Sequence, residues 1–581
     1  YDEFVGRIKQ DDSSVPFRER GWWYYTRYEA GQDYPIHARR RDVGGRYDGS
    51  VPEEVLLDVN AMATGKDYFS VGDYEVSQDN RLLAWAEDAV GRRQYTIRFR
   101  DLATGELLPD VISGVSANLV WADDNRTLFY VENDPETLLT VRVRRHVLGT
   151  PAADDPVVYE EEDDSFYMGI GRTRDDRFIC IEVESTVSSE LRYAPAGDPR
   201  EFTVLAPRAR DVEYQADHLG DRWVIRTNAP GADGTPATNF KLVAAPSGAT
   251  SRSQWTDLVP HRDDVYIEDY DLFDGFIAIG ERSGGLERIR ILRDGAGEFV
   301  AADEDAYSMG LDVNSEHDTD WLRYGYTSMV TPDSVYDVDL VTRTMTLRKQ
   351  KPVLGGYQPD DYEQFREWAV ADDGTKVPIS LVARKGTPRN GTAPLLLYGY
   401  GSYEASMDPY FSIARLSLLD RGMVFVVAHV RGGGELGRQW YEQGKLLNKK
   451  NTFTDFIAVA RHLVDTDVIS TRESALAPTR VFAGSFEMLP RRAPRCSSRR
   501  SPSASASDSR LSTTIPTPLP ITVPAAMPTT PSVPAQAIAQ VCELTWQLRG
   551  QAEGRQVEGA KVGITANQGL FGHGSSVLLS V

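Results

Sequence analysis

A seven-bladed β-propeller joined to an incomplete α/β domain is the fold class the sequence predicts, and three observations predict it. A turn carrying Asp, Asn or Gly, often with Arg, leads into a short aromatic or β-branched run seven times before Lys351. After Lys351 the pattern changes to fully apolar strands separated by helical stretches. Beyond Leu489 the composition changes as well, to nine Lys and Arg against four Asp and Glu, in a chain of 581 residues whose formal net charge is -22.

The repeats begin at Trp22-Trp23-Tyr24-Tyr25 and continue at Leu82-Leu83-Ala84-Trp85, Thr127-Leu128-Phe129-Tyr130 and Phe178-Ile179-Cys180-Ile181. Trp223-Val224-Ile225, Phe276-Ile277-Ala278-Ile279 and Trp321-Leu322-Arg323-Tyr324 complete the set. Successive spacings run from 45 to 59 residues, which suits four short strands per unit. One such sheet cannot bury its own faces, but a ring of them buries each against its neighbours. A pair of β-sandwiches is the alternative arrangement.

In the second region, residues 365–382 read as a hairpin around Asp373-Gly374, with a type I′ turn. An apolar strand follows at Leu395-Leu396-Leu397-Tyr398, then a helical stretch from about Ser412 to Arg421 and a second apolar strand at Met423-Val424-Phe425-Val426-Val427-Ala428. A helix is expected from about Thr452 to Leu463 with Asn451 or Thr452 as its N-cap. Such alternation predicts a parallel sheet covered on both faces, with the edge and faces around 423–428 left open if the sheet is incomplete.

A third apolar strand, Thr479-Arg480-Val481-Phe482-Ala483, runs into Gly484-Ser485-Phe486-Glu487. In the GxSxG elbow of an α/β-hydrolase this turn lifts a serine hydroxyl above the sheet. Only the glycine before Ser485 is present, and Glu487 stands at the second glycine position. Ser485 is thus the nucleophile candidate, displaced from the full motif; the other reading is a loop serine without a role.

Residues 1 to about 482 resemble oligopeptidase B, a branch of the prolyl oligopeptidase family of serine peptidases. The matching stretches are Val5-Gly6-Arg7-Ile8-Lys9-Gln10-Asp11-Asp12, Leu397-Tyr398-Gly399-Tyr400-Gly401, Val430-Arg431-Gly432-Gly433-Gly434-Glu435-Leu436-Gly437 and Lys449-Lys450-Asn451-Thr452-Phe453-Thr454-Asp455-Phe456. The resemblance implies a seven-bladed β-propeller over an incomplete α/β-hydrolase domain, no cofactor, a cytoplasmic setting and cleavage of short peptides after Lys or Arg. It assigns Tyr400 to the oxyanion hole, where a phenol stabilises developing charge; a tyrosine merely packed after a strand is the bland reading. The family's catalytic Asp and His have no counterpart after Glu487, and the neighbours of His573, the one histidine there, do not match the family's. The expected product is an inactive or impaired serine peptidase, with a non-catalytic propeller that binds peptides or proteins, or a frameshifted fusion product, as the alternatives.

On this reading residues 1–15 are an N-terminal remnant on the hydrolase side, 16–352 the propeller and 353–489 the partial peptidase domain. Residues 490–535, rich in Pro, Ser and Ala without aromatics, are expected to be disordered. Residues 536–581 resemble the C-terminal edge of a thiolase, with a helix at 542–550 and a strand, glycine loop and strand after Gly559.

The acidic body excludes a nucleic-acid partner, because it repels polyanions, and suits short basic peptides. Cys180, Cys496 and Cys542 form no metal-ligating spacing, so no metal is expected, and they fit a reducing compartment. No apolar run is long enough to span a membrane, and Tyr1-Asp2-Glu3-Phe4 has no signal-peptide core. Without an initiator Met, these first residues read as the interior of a longer sequence. The run Gly432-Gly433-Gly434 reads as a structural turn rather than a phosphate loop, 160–164 as a solvated acidic loop, and His429 as a hydrogen-bonded core residue.

Overall fold

The computed structural model describes residues 2–231, 233–466 and 468, and the backbone of two further strands, Val562–Gln568 and Gly574–Ser580, which pair antiparallel. The strand expected at 479–483, Ser485, the segment 490–535, the helix at 542–550 and His573 lie outside the described residues.

Each of the seven sequence repeats falls on the second strand of a four-stranded unit: Trp22–Arg27, Leu82–Asp88, Thr127–Asn133, Phe178–Glu184, Arg222–Thr227, Phe276–Ser283 and Trp321–Ser328. The polar residues before these strands make the turn possible. Asn80, Asn125 and Asp176 sit at φ of 64°, 52° and 60°, a region that Asn and Asp tolerate better than other side chains. Five units are separate sheets, whereas the second and third share one. Their common strand, Leu107–Trp121, pairs first with Tyr95–Asp101 and then with Thr127–Asn133.

Successive blades are joined by apolar clusters. Phe129 and Val131 meet Ile179 and Ile181 between the third and fourth; Cys180 and Tyr193 meet Trp223 and Val243 between the fourth and fifth. The seam between the seventh blade and the first combines apolar and polar contacts. Val313 packs against the apolar cluster of Phe17 and Tyr24, and polar contacts cross the seam: Arg323 Nη1 to the Pro16 carbonyl at 2.8 Å, the Arg20 amide to Glu316 Oε1 at 3.1 Å, and Lys349 to Asp12 at 2.7 Å.

The ring has two unlike ends. At the end where the inner strands begin, Glu213, Tyr266 and the nearby Arg282 reach the α/β domain. At the end where they finish, Arg174 crosses between blades: its amide bonds Asp217, Nε the Leu272 carbonyl at 2.9 Å, and Nη2 the Glu316 carbonyl at 3.1 Å. Arg174 is buried, and its guanidinium lies 5.0 Å from the Phe273 ring centre.

The α/β domain is a four-stranded sheet in the order Tyr362–Val370, Lys376–Arg384, Val424–Ala428, Leu395–Tyr398. The two apolar strands, Leu395–Tyr398 and Val424–Ala428, pair parallel as their alternation with helices predicts, and the hairpin joins them antiparallel through Lys376–Arg384. Strand Val424–Ala428 is wholly buried between two neighbours, so it is not the open edge expected there; among the described residues Leu395–Tyr398 and Tyr362–Val370 end the sheet. The hairpin turn is also not type I′. Of its residues only Gly374 takes a positive φ, and the Gly374 amide bonds the Ala371 carbonyl at 2.8 Å, a type I turn closed by a left-handed glycine. Asp373 avoids the left-handed region that a type I′ turn would force on it.

The helix near Ser412 is Ile413–Leu419, capped by the Ser412 hydroxyl. The long helix runs Lys450–Asp465, starting before the expected cap, because a turn of 3-10 helix at Leu446–Asn448 leads straight into it. Thr452 is therefore inside the helix, and its hydroxyl donates to the Arg431 carbonyl at 2.6 Å instead of capping. The N-terminal residues lie on this domain: Arg7 bonds Ser417 at 3.0 Å and Asp420 at 2.6 Å. In the acidic run, Glu160 and 162–164 are exposed, as expected of a solvated loop, whereas Glu161 is half-buried and paired with Arg208 at 2.6 Å.

Replacing Arg174 by Met leaves the carbonyls of Leu272 and Glu316 without their buried donor, each costing about 1–3 kcal/mol. Urea titration of Arg174→Met is expected to show a lower midpoint with an unchanged slope.

Candidate active site

In a parallel pair the carboxyl ends of the strands share one edge, where α/β proteins place their ligands. Tyr398 is paired with Val427 in register, so Gly399-Tyr400 and Ala428-His429 emerge side by side on that edge. Tyr400 is buried there.

The turn after Tyr400 is fixed from below. Gly401 has φ of 66°, and a Cβ added to it would meet Thr452 Cγ2 at 2.5 Å and Val430 Cγ2 at 2.6 Å. Gly432 has φ of 102°, and a Cβ there would lie 2.0 Å from the Gly401 carbonyl oxygen. Two segments thus touch through backbone that no larger residue admits. The Lys449 ammonium donates to the Gly401 carbonyl and, at 2.5 Å, to Ser402 Oγ; burial lowers its pKa to about 8.

Arg431 anchors the glycine run. Its amide and Nε donate to Asp455 Oδ2 at 3.0 and 2.8 Å, Nη2 to Asp455 Oδ1 at 2.5 Å, and Nη1 to Asp373 at 2.7 Å. The run is a structural turn, as its lack of a phosphate-loop lysine suggests. His429 is a buried core residue whose Nε2 lies 2.8 Å from Ser380 Oγ; burial lowers its pKa to about 3. Beside it at 4.0 Å, Glu435 is pushed up to about 7 by burial, opposed by the Met407 amide that its Oε1 accepts at 3.0 Å.

The loop beyond Ser402 carries local strain. Tyr403 and Glu404 both take left-handed φ, 56° and 60°, which costs L residues roughly 1–2 kcal/mol each. Arg438 Nη1 donates to Glu404 Oε2 at 2.6 Å, and Arg438 Nη2 to Glu213 of the propeller at 2.6 Å. Sequence reasoning places Tyr400 but misses Glu404 and Arg438, and also the propeller's Arg282 with its α/β partner Asp408 at 2.5 Å. No local signal marks them, because their partners lie far away in the chain.

Of the two sequence-predicted site residues, Tyr400 lies at the sheet edge and Ser485 lies outside the described residues. Among the described residues no group of His, Cys, Asp or Glu is arranged to hold a metal ion, and no helix is long and apolar enough to cross a membrane.

Comparison with known proteins gives consistent matches. Residues 1–351 match the family model for the prolyl oligopeptidase N-terminal beta-propeller domain, and 409–477 that of the prolyl oligopeptidase family. Dipeptidyl aminopeptidase BI of Pseudoxanthomonas mexicana is 62% identical over 476 residues, 80% of this chain and 65% of that protein. Protease 2 of Moraxella lacunata is 34% identical, covering 82% of this chain and 68% of its own length. The chain thus spans about two thirds of the length of these curated relatives. The structure of oligopeptidase B from Leishmania major aligns with a TM-score of 0.76 at 34% identity, over 83% of this chain and 68% of that one.

Removing one partner of the buried Arg431–Asp455 pair strands the other charge, and Asp455→Ala is expected to destabilise the α/β domain by about 3–5 kcal/mol in denaturant titration. Glu435 has a folded pKa above its unfolded one, so its contribution is most favourable below about 4.5 and is lost as pH rises through about 7. Glu435→Gln is therefore expected to gain stability relative to the parent at pH 8, by up to about 2–3 kcal/mol, and little at pH 4. Melting curves at the two pH values check this.

Proposed function

The chain belongs to the prolyl oligopeptidase family, and from that premise we propose that it is built as a serine peptidase for short peptides, with Tyr400 donating to the oxyanion. The observation that carries this is the buried Tyr400 at the carboxyl edge of the sheet, its turn held by Gly401, Lys449 and Thr452. The propeller end where Glu213 and Tyr266 approach this edge restricts the site to small substrates. Cleavage after Lys or Arg is supported by likeness to oligopeptidase B and by the acidic charge of the body. Removal of N-terminal dipeptides is a second reading, favoured by the 62% identical relative of that name. A cytoplasmic setting is part of the proposal, in keeping with the buried free thiol of Cys180.

Turnover is impaired in the sequence as it stands. Ser485 sits in Gly-Ser-Phe-Glu instead of the family's Gly-Gly-Ser-Ala-Gly-Gly, and the residues after Glu487 supply no matching Asp or His. A serine without its base retains what binding and the oxyanion donor supply, on the order of 10³–10⁴-fold over water. The propeller as a peptide-binding scaffold without catalysis is the remaining alternative.

Hydrolysis of an Arg-amide peptide by the full chain is expected within that residual range and about 10²-fold lower in Tyr400→Phe. A rate equal to the uncatalysed one in both proteins overturns the peptidase reading and leaves the scaffold. A fluorophosphonate probe reports separately on Ser485, labelling it only if the hydroxyl is activated. Comparing free and blocked α-amino substrates decides between the specificities, since dipeptide release needs the free amine.

A further inference from the structure

The loop that follows Tyr400 is gripped by the propeller at both ends. At one end Glu404 accepts from Tyr266 Oη at 3.3 Å and from Arg438, which in turn pairs with Glu213. The backbone amide of Arg438 also bonds Asn239 Oδ1 of the propeller at 3.0 Å. At the other end the buried Arg282 forms a two-pronged pair with Asp408 while also bonding Glu268 at 2.8 Å and Glu287 at 3.0 Å.

The loop's own domain holds its backbone and, through Arg438, the Glu404 carboxylate, while Asp408 is held from the propeller. The Glu404 amide bonds the Gly432 carbonyl at 3.1 Å, and the Met407 amide bonds Glu435. Two consecutive non-glycine residues at left-handed φ, Tyr403 and Glu404, persist only where surroundings over-determine them. Within the loop the Ala405 amide to the Ser402 carbonyl is a single turn bond, too little to impose that geometry alone. From the propeller, Tyr266 and Arg282 constrain the side chains of Glu404 and Asp408 directly, and Glu213 acts through Arg438.

We propose that Glu404 is a positioning residue for Tyr400: propeller contacts to Glu404, Arg438 and Asp408 hold loop 401–408 in its strained form, so that the oxyanion tyrosine is set only while the propeller is docked. The consequence for chemistry rests on the reading of Tyr400 given above; the coupling itself does not. Undocking takes Tyr266 from Glu404 and Glu213 from Arg438, lets Tyr403 and Glu404 relax to negative φ, and shifts the turn that begins at Gly401.

The test uses the full chain with 3-fluorotyrosine at position 400, observed by fluorine NMR, together with amide exchange. Substitutions are confined to the propeller: Tyr266→Phe, Glu213→Gln and the pair combined. The combined variant is expected to shift or split the fluorine resonance and to speed exchange of the 401–408 amides about tenfold, with blade amides and melting midpoint unchanged. Glu213→Asp, which keeps the charge, is expected to retain the parent resonance. An unmoved resonance with unchanged 401–408 exchange overturns the proposal. Where the combined variant fails to fold, Tyr266→Phe alone decides: faster loop exchange supports the coupling, and exchange equal to the parent overturns it. A moved resonance in a protein whose hydrolysis ignores Tyr400→Phe keeps the coupling and removes only the oxyanion role.

Discussion

Arg431 and Asp455 form the constraint on which the rest of the α/β domain hangs. Burying two charges is costly, and their attraction offsets it only when most donors and lone pairs are used. Here Asp455 accepts three bonds from Arg431, and the remaining guanidinium edge goes to Asp373 in the hairpin turn. The pairing fixes the long helix, the hairpin and the glycine run to one another. Gly432 is thereby pressed against Gly401, and the chain leaves the run at Arg438, aimed at the propeller. One ion pair thus sets both the floor under Tyr400 and the bridge between domains.

The contact zone between domains is unusual in being built from buried charge. Arg282 has its guanidinium among Asp408, Glu268 and Glu287, and burial with neighbouring carboxylates pushes Glu287 well up. Interfaces of this kind gain orientation more than strength, since a displaced register leaves a charge without its partner. Such contacts separate more readily than an apolar seam of equal area, which suits two domains whose loop geometry depends on how they meet.

How much of this was legible in the sequence follows from distance along the chain. The blades could be read because each writes its own turn and apolar run within 60 residues, and Asn80, Asn125 and Asp176 mark the turns by the conformation they tolerate. The strand that leads to Tyr400 was visible for the same reason. The helix start was misplaced because Thr452 looks like a cap, while its hydroxyl is committed to the Arg431 carbonyl. The type I′ turn was misjudged because Asp-Gly permits it without requiring it. Glu213, Tyr266, Glu404 and Arg438 carry no mutual signal at all: their meeting is a product of ring closure and domain docking.

The ring itself is unevenly stiff. Strand Leu107–Trp121 welds the second and third blades into one sheet, whereas no other neighbouring blades share a strand, and the seventh and first meet mainly across Arg323, Lys349 and Glu316. In form this is a split washer, its two ends meeting at a cut where the chain's first and last propeller blades come together. Arg174, bonded to the Leu272 and Glu316 carbonyls, acts as a cross-brace close to that cut. The chain thus leaves this one joint to side chains from the two ends of the ring's sequence.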